Sequence, residues 1–395
     1  MLGLVPRDHW EHKFSDFLSS LASALIPRKN VNTLHIPEIG HCIPVRSGRA
    51  GLVAAIQALN LPNGARIGVP LYCCSVVFKA ITIAGCIPRF IDIKPDTFCI
   101  SADDLSSKIS QLDAVIAAHM FGNMCDMPEL MAASKGKPII EDCAQALGSK
   151  LDGRPAGSFG DIAFFSFRSG KYLSVGEGGA LFSRHTDIQS RVKEIIDKMS
   201  EPNRADESIH ATKNYIKSIL RSKPFYGTIG YPLWTFVSKT MNLSENPSVA
   251  LGQIYSADLA TIMNRFSQLD VWIERQRANA VCYSDALRLH PGMLCDEKPG
   301  AFYNRYLYPI TFPSTKQRDD MASYLLKRDI DTMKYLDDVL NIAIEHYVYS
   351  GDCPVAEALS KKVLIIPNYY SLNKTDVQRI AHCLNEGWAK IKNSD

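Results

Sequence analysis

The sequence lacks the features that mark several other classes of protein. Its formal net charge is only +3 over 395 residues, which is too small to indicate a nucleic-acid-binding protein. None of the 11 cysteines belongs to a CxxC pair, and no Cys/His cluster has the spacing of a zinc site. No apolar run reaches the length of a transmembrane helix. We therefore expect no nucleic-acid partner, no metal and no membrane span.

The cysteines and the amino-terminal segment both indicate the cytoplasm. The cysteine count is odd, and buried thiols in a reducing compartment explain it most simply. Residues 17–26, FLSSLASALI, are apolar, but Glu11 and Asp16 precede them where a signal peptide has a basic region. The spacing instead predicts an amphipathic helix packed on the body of the protein. Its apolar positions are Phe14, Phe17, Leu18, Leu21 and Leu25.

Short apolar runs alternate with helical patterns from about residue 40. This alternation predicts an α/β fold with right-handed crossovers and a mainly parallel sheet covered on both faces. In such sheets, ligands bind at the carboxyl ends of the strands. The predicted strands are 66–70, 88–93, 113–121 and 137–142, and the predicted helices are 75–85, 102–112, 127–136 and 183–200.

We expect two domains. Residues 1–245 would form the amino-terminal helix and a large domain, with a helical insertion at 201–250, and residues 246–395 would form a smaller α+β domain. In this second part we predict strands at 305–312 and 362–367, and helices at 253–288, 316–328 and 374–391.

The insertion is basic and aromatic. From Ser208 to Ser244 it contains no acidic residue, and aromatic side chains are interleaved with its cations. One interpretation is a packed helical cap or a dimer contact. The other is a surface for an anionic substrate or for peripheral contact with a membrane through 208–244. The cations are Lys213, Lys217, Arg221, Lys223 and Lys239.

Three features of the large domain point to a chemical site. Lys171 is a single amine on the loop of DIAFFSFRSGKYLSVGEGGALFS (161–183), and a buried ammonium is costly without a partner or a role. Asp142 ends a predicted strand, while alternation turns Glu141 to the opposite side. Ser47 and Gly48 precede a helical pattern, and such a helix start binds phosphate. Taken singly, such residues are more often only caps or turn formers.

Together these features match the needs of pyridoxal phosphate. A lysine amine forms an imine with the aldehyde of this cofactor, and an aspartate keeps its ring nitrogen protonated. The amine must first lose its proton, and a desolvated position lowers the lysine pKa. The sequence therefore predicts pyridoxal 5'-phosphate as the cofactor.

Residues 141–179, EDCAQALGSKLDGRPAGSFGDIAFFSFRSGKYLSVGEGG, resemble in residues and spacing the signature of the DegT/DnrJ/EryC1/StrS family of pyridoxal-phosphate-dependent sugar aminotransferases. The resemblance is collinear from about Pro44 to Gly179 and weaker across 250–395. It implies the aspartate aminotransferase-like fold (fold type I) and a homodimer. It also implies transfer of an amino group from an amino acid, L-glutamate, to a nucleotide-linked keto-sugar in cell-surface polysaccharide or amino-sugar biosynthesis.

The resemblance assigns roles residue by residue. Lys171 would be the Schiff-base lysine, Asp142 the partner of the pyridine nitrogen, and Gln145 the partner of the ring hydroxyl. His119 would lie beside the cofactor. The alternative is that His119 is a buried histidine whose ring nitrogens form hydrogen bonds only within the core. Ser166 would hold the phosphate together with backbone N–H groups near Gly48, Arg49 and Ala50. Family members that act as sugar dehydratases carry histidine in place of the lysine, so Lys171 favours an aminotransferase.

The sequence also departs from the family pattern. Arg49 stands where many members have threonine, and Cys74 aligns with the aromatic residue that stacks on the cofactor, so either Tyr72 or a thiol would cover the ring. The Asn-x-Arg segment is absent near 251–253, and no histidine occurs at 331–335. These departures motivate a second reading, a catalytically reduced, cofactor-binding regulatory protein of the same fold. A third, a dinucleotide-dependent oxidoreductase, lacks GxGxxG after the first strand.

Overall fold

A computed structural model of the protein describes residues 3–25, 33–240 and 249–392. The strands are β1 Leu34–Ile36, β2 Gly40–Val45, β3 Arg66–Pro70, β4 Ile87–Ile91, β5 Ala114–Ala118, β6 Ile139–Asp142, β7 Lys150–Leu151, β8 Arg154–Pro155, β9 Ile162–Ser166, β10 Gly179–Phe182, β11 Ala301–Phe302, β12 Tyr308–Thr311, β13 Met333–Lys334 and β14 Val363–Ile366.

The helices of the same residues are α1 Phe14–Leu25, α2 Gly48–Ala58, α3 Ser75–Ile83, α4 Ala102–Lys108, α5 Met127–Ala133, α6 Thr186–Asp197, α7 Arg204–Leu220, α8 Tyr231–Thr240, α9 Ser256–Arg265, α10 Leu269–Ala286, α11 Thr315–Leu326, α12 Val339–Tyr347, α13 Pro354–Ser360 and α14 Lys374–Ile391. A π-helical segment, Tyr226–Gly230, precedes α8. None of these helices is long and apolar enough to cross a membrane.

The main sheet has eight strands in the order β1-β2-β10-β9-β6-β5-β3-β4. Strands β4, β3, β5, β6 and β9 pair in parallel, while β10, β2 and β1 complete the sheet with antiparallel pairings. The mainly parallel α/β sheet predicted from the alternating pattern is confirmed. The four predicted strands and four predicted helices of this part each correspond to an element, with ends displaced by a few residues.

Helices cover both faces of the sheet because its strands are apolar on both sides. In β5, Ile116 packs into one core with α2, α3 and α6, while Val115 and Ala117 pack into the other with α4, α5 and α10. Successive side chains of a strand point to opposite faces. A continuous apolar run such as AVIAA therefore supplies both cores at once.

Pairing brings three chain-distant positions to one edge of the sheet. Ala118 of β5 is opposite Asp142 of β6, and Asp142 is opposite Phe164 of β9. His119, Asp142 and Ser166 therefore end neighbouring parallel strands at the same carboxyl edge. The loop that carries Lys171 leaves β9 at this edge and returns as β10.

The carboxyl-terminal part has a three-stranded sheet, β12-β14-β13, packed with α10, α11 and α14. The predicted strands 305–312 and 362–367 correspond to β12 and β14. The predicted helix 253–288 is divided into α9 and α10 by a short 3-10 turn, Phe266–Gln268. The proposed domain boundary at about residue 245 falls within 241–248, outside the described residues, and stays a prediction.

The insertion forms α7, the π-helical segment and α8, and its predicted part at 241–248 lies outside the described residues. Helix α7 contacts α1 and α9, and Phe17 of α1 stacks on Tyr215 with ring centroids 4.8 Å apart. The predicted amino-terminal helix is present, but its predicted apolar face is only partly covered, because Phe14 and Leu18 are 57% and 50% exposed. The π-helical segment, α8 and the residue before them also carry exposed apolar side chains, and the membrane contact through 208–244 stays a prediction. These side chains are Phe225, Ile229, Leu233, Trp234 and Phe236.

Candidate active site

Lys171 is held in a tight turn at the carboxyl edge of the sheet. Its backbone N–H donates to the carbonyl oxygen of Arg168 at 3.0 Å, and Gly170 adopts a φ of +87° beside it. The Nζ atom lies 4.3 Å from the centroid of the Tyr306 ring. Burial and the positive charge of Arg168 lower the pKa of Lys171 to about 7, against the opposing charge of Asp142. An amine in this state changes protonation near neutral pH.

Asp142 ends β6 with its carboxylate towards Lys171. Its Oδ1 atom accepts from the N–H of Ala144 at 3.0 Å. Burial raises the pKa of Asp142, while that N–H group and the charge of Lys171 act in the opposite direction. A carboxylate with one backbone donor and a raised pKa is suited to a further cationic partner.

Glu141 points the other way, as the alternation predicted. Its side chain is fully buried and accepts hydrogen bonds from the backbone N–H groups of Gly157, Phe159 and Gly160. Burial would raise its pKa, but hydrogen bonds from His119 and this backbone hold the pKa below its usual range. Glu141 is therefore a structural anchor for the loop before β9.

The start of α2 meets Ser166 at close range. A Cβ atom on Gly48 would lie 2.8 Å from the Cβ and 3.1 Å from the Oγ of Ser166, so only glycine permits this approach. The predicted pairing of helix start and serine is present. The N–H of Ala50 donates to the Oγ of Ser47 at 3.2 Å as a helix cap, and its predicted use for phosphate stays a prediction. Gly48, Arg49 and Ser166 are the other members of the candidate phosphate cradle.

Gln145 lies at the site, but its amide is engaged by the protein. Its Oε1 accepts from the N–H of Phe121 and its Nε2 donates to the hydroxyl of Tyr335, both at 3.0 Å. Tyr72 is fully buried, and its hydroxyl donates to the carbonyl of Tyr335 at 2.9 Å. Tyr72 is thus held in the core, and whether Tyr72 or the Cys74 thiol covers the cofactor ring stays a prediction.

His119 uses both ring nitrogens within the core. Its Nδ1 accepts from the N–H of Cys125 at 3.1 Å, which leaves the proton on Nε2, 3.0 Å from Oε2 of Glu141. These contacts match the alternative considered from the sequence, in which His119 is a buried histidine with hydrogen bonds inside the core. A contact of the ring with a cofactor stays a prediction.

Three residues of the site had not been assigned from the sequence. Tyr306 lies against the Lys171 amine, Tyr335 bonds Gln145, and Arg168 contributes a charge that favours the neutral amine. Arg168 lies three positions before Lys171, and its positive charge is the only feature of the sequence that could have indicated its effect on the amine. Tyr306 and Tyr335 reach the site from the carboxyl-terminal part of the chain, and no local pattern marks them.

The donor set fits pyridoxal phosphate. Asp142 offers a buried carboxylate to a ring nitrogen, Gly48 and Ser166 form a cradle that a Cβ would fill, and Lys171 offers an amine of lowered pKa. When bound, pyridoxal phosphate supplies an aldehyde that carries the amino group and a ring that withdraws electrons. Lys171 can accept a proton at Nζ and return it near neutral pH. Asp142 would hold the proton on the ring nitrogen.

A mainly parallel sheet with this lysine and aspartate at its carboxyl edge defines a pyridoxal-phosphate-dependent aminotransferase of fold type I. The sequence model of the DegT/DnrJ/EryC1/StrS aminotransferase family matches residues 35–385. The chain belongs to this family.

Named relatives extend over most of the chain. UDP-N-acetyl-3-dehydro-alpha-D-glucosamine 3-aminotransferase of Acidithiobacillus ferrooxidans is 31% identical over 349 residues, which are 87% of this chain and 83% of the relative. GDP-perosamine synthase of Vibrio cholerae is 25% identical over 353 residues, 88% and 86% of the two chains. The solved structure of sugar aminotransferase CalS13 from Micromonospora echinospora has a TM-score of 0.72 at 19% identity and covers 98% of this chain and 100% of its own. It shares the fold.

The adjacent carboxylates should respond differently to neutral substitution. Glu141→Gln places an amide among backbone N–H donors and should lower the free energy of unfolding by about 2–4 kcal/mol. Asp142→Asn removes a buried charge and should leave the apo-protein at least as stable while weakening cofactor binding. Urea denaturation and equilibrium dialysis with pyridoxal phosphate measure the two effects. Equal loss of stability in both variants would contradict the assignment.

The rate of cofactor capture should follow the protonation of Lys171. Capture by apo-protein should be fast above a midpoint near pH 7 and fall about tenfold per pH unit below it, because the protonated amine cannot attack an aldehyde. Arg168→Gln should move the midpoint upwards, since the charge of Arg168 lowers the pKa. Stopped-flow absorbance across pH gives both profiles. An unchanged midpoint in the variant would show that Arg168 does not act on the amine.

Proposed function

We propose that this protein transfers an amino group from L-glutamate to the keto group of a nucleotide-linked sugar. The observation that carries the proposal is the Lys171 amine, with a pKa lowered to about 7, beside the Asp142 carboxylate and the Ser166 cradle. The names of two relatives contain UDP- and GDP-linked sugars, which supports the acceptor class.

Each half of the transfer uses the same residues of the chain. Lys171 would take up at Nζ the proton from the carbon that bears the donor amine and would later give that proton back. Asp142 would keep the ring nitrogen protonated, which strengthens electron withdrawal. Tyr306, packed on the amine, would restrict water at the reacting atoms. The second half runs in reverse on the keto-sugar.

The setting we propose is a homodimer in the cytoplasm, in cell-surface polysaccharide or amino-sugar biosynthesis. All eleven cysteines are free thiols, which fits a reducing compartment. The regulatory alternative with reduced catalysis is disfavoured by relatives whose names are those of sugar aminotransferases.

L-Glutamate should convert the cofactor of the holoprotein. We expect the visible absorbance of the bound cofactor to bleach and 2-oxoglutarate to appear, because the amine leaves the donor for the cofactor. Lys171→Ala should bind pyridoxal phosphate without the lysine-dependent band and should not turn over. Absorbance spectra and mass spectrometry of the products test both points.

The acceptor is tested by adding UDP- or GDP-linked keto-hexoses to the glutamate-treated protein. Restoration of the original spectrum with formation of an amino sugar supports the proposal. Donor conversion with glutamate but no restoration by any nucleotide-linked keto-sugar would overturn the acceptor class. No donor conversion by any amino acid would overturn transamination itself.

A further inference from the structure

A cavity of about 850 Å³ lies between the loop that carries Lys171 and the helices of the insertion. Six cationic and three acidic side chains line it. Arg49, from the start of α2, and Arg168, from the Lys171 turn, are among the cations that line it. Lys213, Lys217 and Arg221 of α7 and its carboxyl end form one wall. We call this cavity the basic groove.

The cations of α7 repeat every four residues on the face that lines the groove. Such like-charged neighbours repel one another in an isolated helix. Among the described residues, no carboxylate lies within 4.0 Å of the charged nitrogens of Lys213, Lys217 or Arg168, whereas Arg221 pairs with Asp8 at 2.6 Å. Burial, followed by the charges of Arg221 and Lys213, lowers the pKa of Lys217, although Glu177 opposes them. The fold thus holds cations together that an anion would stabilise.

Helix α7 is fixed against the body of the protein. The amide of Asn214 donates to the carbonyl oxygen of Val175 at 2.9 Å, in the turn that follows Lys171. His210 contacts the Asp258 carboxylate at 2.7 Å. A Cβ at Gly176 would collide with Asn214, so the close approach of helix and loop depends on glycine there. The backbone that carries the α7 cations is therefore positioned by packing before any ligand binds, which lowers the cost of binding.

Helix α8 gives the groove an apolar lining. Leu233, Trp234 and Val237 contribute to it, and Leu233 and Trp234 are 49% and 44% exposed. A ligand that joins an anion to a flat or apolar group would contact both walls. A small dicarboxylate such as glutamate would leave most of this volume unfilled.

We propose that the basic groove binds the diphosphate of the sugar acceptor through Lys213, Lys217 and Arg168, with the attached group against the apolar wall. The inference rests on the proposed function. If the protein aminates a keto-sugar, the keto carbon must lie at Lys171, and the groove is beside the Lys171 turn. A diphosphate occurs both in nucleoside-diphosphate sugars and in polyprenyl-diphosphate-linked sugars. The aromatic wall accepts a base by stacking, and its aliphatic members accept a prenyl chain.

Titration calorimetry of the holoprotein with inorganic pyrophosphate, UDP, GDP and geranyl diphosphate tests the proposal. We expect binding of diphosphates that weakens with salt. Lys213→Gln/Lys217→Gln should raise the Kd at least about 10-fold, and Lys213→Arg/Lys217→Arg should retain binding. Lys198→Gln/Lys361→Gln removes the same charge from exposed positions outside the groove and should bind like the wild type.

The outcomes separate this inference from the proposed function. Tighter binding of UDP or GDP than of pyrophosphate supports the groove with a nucleotide source, and tighter binding of geranyl diphosphate supports it with a lipid source. If no diphosphate binds, or if the Gln double variant binds as well as the wild type, the groove assignment is wrong. Conversion of the wild-type cofactor by L-glutamate is measured in parallel, and its absence would instead reject the proposed function.

Discussion

The desolvation of one amine is the constraint on which the active site depends. Lys171 must be neutral near physiological pH to react, and water would keep it charged. Burial and the charge of Arg168 favour the neutral amine, while the negative charge of Asp142 opposes them. The Tyr306 ring, with its centroid 4.3 Å from Nζ, attracts the charged form. The pKa of the Lys171 amine is therefore about 7, which suits repeated gain and loss of a proton.

The sheet makes this arrangement possible because it directs the adjacent carboxylates of Glu141 and Asp142 to opposite sides, where one has a structural role and the other faces the site. Glu141 is buried among backbone N–H donors and fixes the loop that enters β9. Asp142, one residue later, faces the carboxyl edge where parallel strands end together. Because strand side chains alternate, a single short strand both stabilises the fold and supplies the site.

The insertion extends the site beyond the common core of the fold. Helix α7 is joined to the turn after Lys171 by Asn214 and to α9 by His210, so the backbone that carries its cations is held against the catalytic loop. A wall built in this way can select an acceptor without altering the residues that handle the cofactor.

The sequence by itself determined most strands and helices between residues 66 and 200, through local periodicity, and the family and its cofactor, through a continuous signature. The same signature marked Lys171, Asp142, Gln145 and Ser166 as candidate site residues. It could not determine that Ser47 takes the N–H of Ala50, that Tyr335 bonds Gln145, or that Tyr306 covers the amine. Those contacts join segments far apart in the chain. Only tertiary packing decided which face of α7 meets the catalytic loop, because amphipathic spacing defines a helix face but not its neighbour.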